Sequence, residues 1–190
     1  VTKPSPSPAT WETFEPILES PYPRHGTEVV AAKHVDDLHL ARGARRIPYS
    51  GDRETEYVVD RDYVMDVAVR PFPEADTIHL RRICVPRGML TDLASVPRGF
   101  RWLVSRAGKH LEAAVVHDWL YIAWQDVPGG EPRKEDWRYA NRVFWQAMKD
   151  ARVPWQRRWP ARLAVGSFFG WLAYRKPNKG ARYARRKGER

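Results

Sequence analysis

Two regimes of hydrophobic spacing divide the chain. Between residues 57 and 85 apolar and polar positions tend to alternate. Tyr57-Val58-Val59 and Tyr63-Val64-Met65-Asp66-Val67-Ala68-Val69 are rich in β-branched residues. Thr77 to Val85 sets Ile78 and Leu80, followed by Arg82, on one face, with His79, Arg81 and Ile83 on the other. A period of two over such lengths predicts half-buried strands. Asp60-Arg61-Asp62 offers a turn between the first two runs, and Pro71 and Pro73 end the second. Three antiparallel strands with short turns follow as the simplest arrangement. Pro86-Arg87-Gly88 then turns the chain, Met89 to Pro97 reads as a loop, and Gly99 to Val104 as a short helix.

From Lys109 the period becomes helical. His110 to Gln125 carries apolar residues on nearly every face, as a buried helix does. Val127-Pro128-Gly129-Gly130 stops it. Pro132 suits the opening turn of a second helix, with Glu135 and Asp136 favouring its N-terminal dipole. That helix runs to about Asp150, with Trp137, Ala140, Phe144, Trp145, Ala147 and Met148 as its buried candidates. Pro154 breaks it, and a third helix opens at Trp155 or Pro160 and ends near Tyr174. The expected class is α+β: a small antiparallel sheet of about three strands, then three packed helices. The domain spans residues 51–174. Residues 1–50, interrupted by Pro4, Pro6, Pro8, Pro16, Pro21 and Pro23, form an extended arm, and residues 175–190 a basic tail, both flexible.

Composition narrows the possible chemistry. With 190 residues, 43% of them hydrophobic, one cored domain is expected. A single cysteine, Cys84, leaves no internal disulfide framework and no thiolate-rich zinc site. No apolar run is long enough for a transmembrane helix, and the start of the sequence lacks the plan of a signal peptide. Synthesis in a reducing cytoplasm is therefore expected, with later association with a virion left open. The net charge of +10 is unevenly placed: residues 151–190 hold 12 of the 33 Lys and Arg but one of the 23 acidic residues.

One constellation could carry chemistry. His117 and Asp118 lie in the apolar helix, with Tyr121 one turn on. Burying an imidazole and a carboxylate is costly unless they are partnered. The four- and three-residue spacings bring the phenol near both. His117 and Asp118 stand about 100° apart and need not face each other. Upstream, Thr91-Asp92-Leu93-Ala94-Ser95 adds an acid and hydroxyls in a loop. Asp92 could orient His117 or share a cation with Asp118. Asn141 could bond the same imidazole if the two helices pack antiparallel. Ser95 lacks the G-x-S-x-G elbow of a nucleophile and suits a turn. The candidate catalytic set is thus His117, Asp118, Asp92 and Tyr121, supported by Thr91, Ser95 and Asn141. The same groups could instead form a structural hydrogen-bond network between loop and helix.

The motifs Val85-Pro86-Arg87-Gly88-Met89-Leu90-Thr91-Asp92-Leu93-Ala94-Ser95-Val96-Pro97-Arg98, Ala113-Ala114-Val115-Val116-His117-Asp118-Trp119-Leu120-Tyr121 and Ala140-Asn141-Arg142-Val143-Phe144-Trp145-Gln146-Ala147-Met148 resemble the domain of unknown function 1353 family. The resemblance covers about residues 57–172. It departs at Met89-Leu90, where the family has a phenylalanine step, and at Asn141, where it usually has aspartate. The family occurs mostly in phages and prophages, so the resemblance implies a phage gene and other phage proteins as partners, without an activity. Over about nine residues the His117 helix is also similar to the active-site helix of secreted phospholipases A2. That similarity implies His117 as general base, Asp118 as a calcium ligand and Tyr121 as a support. The glycine-rich calcium loop and the disulfides of those enzymes have no counterpart here. A hard divalent cation such as calcium would need Asp92 and loop carbonyls beside Asp118.

Arg175, Lys176, Lys179, Arg182, Arg185 and Arg186 are the candidate anion-binding residues. They suit non-specific nucleic acid, an anionic membrane surface with Phe168, Phe169 and Trp171 as its apolar face, an acidic neighbour, or simple solvation. Two functional classes remain open: a phage-encoded hydrolase of esters or phosphodiesters, and a non-enzymatic virion structural or accessory protein.

Overall fold

A computed structural model describes residues 11–14, 19–23, 27–42, 48–50, 53–54, 57–72, 74–91, 110–177 and 182–186. Its strands are β1 (Trp11–Phe14), β2 (Glu28–His34), β3 (Leu40–Arg42), β4 (Pro48–Ser50), β5 (Arg53–Glu54), β6 (Tyr57–Val59), β7 (Tyr63–Arg70), β8 (His79–Val85), β9 (Leu90–Thr91) and β10 (Tyr183–Arg186). Its α-helices are α1 (His110–Ile122), α2 (Lys134–Asp150), α3 (Trp155–Gly166) and α4 (Phe168–Arg175).

The class is α+β, with two antiparallel three-stranded sheets, ordered β2-β7-β8 and β3-β6-β9, and two ribbons, β1-β10 and β4-β5. The single sheet expected from residues 57–85 is therefore split. β7 and β8 pair as a hairpin, but β6 pairs with β3 and β9 instead of β7. Asp60-Arg61-Asp62 thus passes between sheets. The chain can make that step because Val59 and Tyr63, on either side, are both buried in one core. In β7 the alternation is complete: Tyr63, Met65, Val67 and Val69 face inward. In β8 only Ile83 and Val85 do so, and Leu80 is 80% exposed.

Strand β2 lies inside the stretch expected to be an arm. It pairs along β7, and its Ala32 N–H donates to Asp150 Oδ2 on α2 at 2.8 Å. Strand β10 lies inside the stretch expected to be a basic tail. Tyr183 and Ala184 are buried, and β10 is fixed by Leu90 N–H to the Arg182 carbonyl (2.9 Å) and Ala184 N–H to the Gly88 carbonyl (2.7 Å).

The helices follow their patterns closely. α1 buries residues around most of its circumference and continues as a 3₁₀ turn over Ala123–Gln125. α2 packs on α1 and on β2. Of its predicted core face, Ala140, Ala147 and Met148 are buried, while Trp137, Phe144 and Trp145 are half-buried. The expected third helix is two. Ser167 interrupts it with extended backbone, and its Oγ caps α4 by accepting from Gly170 N–H at 3.2 Å.

Candidate functional site

The site is the seam between α1 and α2. Buried neighbours on both helices bring His117 and Tyr121 of α1 against Asn141 of α2. His117 Nε2 lies 3.0 Å from Asn141 Oδ1. Asn141 Nδ2 donates to the Val165 carbonyl at 3.1 Å, which fixes which end of the amide faces the imidazole. An amide oxygen only accepts, so Nε2 carries the proton and the neutral ring keeps its lone pair on Nδ1. Tyr121 donates its hydroxyl proton to the same Oδ1 at 2.9 Å and accepts from Trp137 Nε1 at 3.0 Å. The imidazole sits between the Tyr121 and Phe144 rings, at 4.1 and 4.6 Å between ring centres.

Burial governs the electrostatics. His117 is 7% exposed, and loss of solvation pulls its pKa down to about 4; the bond to Asn141 opposes this without reversing it. The ring is therefore neutral at physiological pH. Burial likewise raises the Tyr121 phenol, which stays protonated and available as a donor.

Asp118 leaves α1 about 100° round from His117. Its Oδ2 accepts from Thr91 Oγ1 of β9 at 2.8 Å, and its side chain is half-buried. This ties the second sheet to the helix. His117 and Asp118 thus have separate partners, as their angular separation requires. Asp92 and Ser95 lie outside the described residues. Among the described residues no group of three or more His, Cys, Asp or Glu could hold a metal ion. Of Asp92 and Asp118, the two acids a calcium ion would need, Asp118 is the one among the described residues.

The six candidate anion-binding residues separate. Arg175 and Lys176 are exposed at the end of α4. Arg182 is instead a core ion pair: its guanidinium reaches Asp126 Oδ1 at 2.7–2.8 Å, and Tyr183 donates to Asp126 Oδ2 at 2.7 Å. Arg185 and Arg186 fall in β10, and Lys179 lies outside the described residues. The sequence reading missed two participants in the network, Trp137 and the Val165 carbonyl. Trp137 stands four residues before Asn141 on one face of α2, a spacing that could have revealed it. A main-chain carbonyl gives no sequence signal.

Fold and site together define a small α+β protein with an imidazole clamped between two helices. It belongs to the family described as protein of unknown function DUF1353, which it matches over residues 68–165, just over half the chain. No curated protein and no solved structure matches it.

Proposed function

We propose that this is a phage- or prophage-encoded hydrolase acting on an ester or phosphodiester bond, with His117 as its general base. The supporting observation is the fixed tautomer. Asn141 Oδ1 holds the Nε2 proton, and Tyr121 and the Val165 carbonyl hold Asn141. This leaves Nδ1 to take a proton from water as its oxygen attacks the substrate. The imidazolium so formed would return that proton to the leaving oxygen, with Asn141 Oδ1 facing its charge. Asp118, placed by Thr91, would serve as the neighbouring acid, with Asp92, next in sequence after Thr91, as its partner. The phage origin rests on the motifs that resemble the family.

The test is hydrolysis of phospholipid, carboxylester and nucleotide diester panels by the wild type, His117→Ala and Asn141→Asp. General-base removal should cost about 10²–10⁴-fold in rate while the His117→Ala protein stays folded by circular dichroism. A carboxylate at position 141, in place of the amide oxygen now 3.0 Å from Nε2, would favour the imidazolium and raise the imidazole pKa, moving the acid limb of the rate profile upward. Absence of hydrolysis on every panel would sink this reading.

The 7% exposure of His117 and its pKa near 4 favour a second reading. In it the network is purely structural, the protein is a virion structural or accessory component, and its basic C-terminal part contacts DNA, a membrane or a neighbouring subunit. Fixed copy number in purified particles, with His117→Gln protein still incorporated, would support that reading.

A further inference from the structure

Helix α3 contains no fully buried residue, although it carries three large apolar side chains. Trp155, Trp159 and Leu163 recur every four residues and so form one stripe; they are 61%, 47% and 64% exposed. The stripe leads into the corner before α4, where Phe168 and Phe169 are 69% and 77% exposed. Large side chains left in water over two successive helices mark a surface built to meet something apolar.

The charge carried by this stretch of the chain is of one sign. Residues 151–188 include no Asp or Glu. Arg158 and Arg162 run beside the stripe, with guanidinium carbons 5.1 and 4.8 Å from the centre of the Trp145 ring. Stacking there holds two cations along the edge of the apolar face. Arg157, Arg175 and Lys176 are exposed nearby in sequence. The corner itself is firmly seated. Ser167 caps α4, and the Val165 carbonyl accepts from Asn141 Nδ2. The protruding aromatics therefore stand at a capped corner that is hydrogen-bonded to α2.

We propose that the α3–α4 corner docks on an anionic lipid surface. Leu163, Phe168 and Phe169 enter the boundary between headgroups and acyl chains, the tryptophans lie at headgroup level, and the arginines face lipid phosphates. No helix among the described residues is long and apolar enough to cross a membrane, so the contact is peripheral. Lipid suits the surface better than nucleic acid: Leu163 offers no stacking plane, and the paired phenylalanines at a helix corner make a wedge where nucleic acid would need a flat platform. The docking does not depend on the hydrolytic reading, and its test involves no catalysis.

The full chain is mixed with vesicles of phosphatidylglycerol and phosphatidylcholine in equal parts, and with pure phosphatidylcholine, and sedimented. Binding is expected to the anionic vesicles and to be much weaker to the neutral ones. Phe168→Ser/Phe169→Ser should reduce it at least tenfold. Arg175→Gln and Lys176→Gln should each reduce it about fivefold, from the roughly 1 kcal/mol that one cation contributes near such a surface. All these positions are exposed, and unchanged melting temperatures would confirm that the variants are folded. Three outcomes overturn the proposal: no binding to anionic vesicles at low salt; binding that the phenylalanine substitutions leave intact and that DNA competes away, which marks a polyanion site; or a dimer in solution that dissociates on Phe168→Ser/Phe169→Ser, which marks a contact between copies.

Discussion

Between pH 8 and pH 5, His117 alone should remove about 2 kcal/mol from the stability of the fold. Its pKa is near 4 in the folded protein because the ring is buried, and near the ordinary 6.5 in the unfolded chain. A depressed folded-state pKa means that the unfolded chain takes up the proton first. The His117 contribution is therefore fully present above pH 6.5, is lost as pH falls toward 4, and changes no further below that. The whole window amounts to about 3 kcal/mol, of which pH 5 reaches about two-thirds. Asp136 acts in the opposite direction. Burial raises its carboxyl to about 6, so acidification through that range favours the folded state. A raw stability curve would mix the two. The measurement is urea unfolding of the wild type and of His117→Gln at both pH values. Gln retains an amide N–H for Asn141, and every group other than His117 cancels in the double difference. The wild type should lose about 2 kcal/mol more than the variant. A double difference under about 0.5 kcal/mol, or imidazole proton signals from His117 titrating near 6.5, would refute the burial argument.

Three further perturbations probe the fold around the site and one exposed strand position. Asp126→Asn leaves the Arg182 guanidinium and the Tyr183 hydroxyl without their carboxylate in a buried position; a loss of about 3 kcal/mol is expected by chemical denaturation. Gly170→Ala drives a Cβ into the Val165 carbonyl, the group that holds Asn141; overpacking should cost about 1–3 kcal/mol and alter the near-ultraviolet dichroism of the Tyr121–Trp137 pair. Leu80→Asp, on the solvent face of β8, should change the melting midpoint little, within about 0.5 kcal/mol, despite removing a leucine from a strand.

The parts of this molecule that were legible in its sequence are those whose pattern is local. β7 alternates without a fault over eight residues, and α1 is apolar on nearly every face. Asn141, Tyr121 and His117 could be grouped because helical spacing and antiparallel packing leave few other places for a buried imidazole to find a partner. β2 was hidden for a definite reason. A register shift between Val29 and Ala31 puts its buried residues, Val29 and Ala32, three apart, so the period of two that announces a strand is broken by the bulge itself. β10 was hidden for a different one. Arg182-Tyr183-Ala184-Arg185-Arg186 has the composition of a solvated tail. What buries its centre is a carboxylate 56 residues earlier in the chain, Asp126, together with the main chain of Gly88 and Leu90. Charge density therefore misleads as a sign of disorder when a buried acid waits elsewhere in the fold. The same reasoning separates the basic residues by role. Arg182 neutralises an interior carboxylate, whereas the cations of α3 and α4 lie in a stretch that has no acid of its own. In the second group Arg157, Arg162, Arg175 and Lys176 are exposed, in the same stretch as exposed tryptophan and phenylalanine.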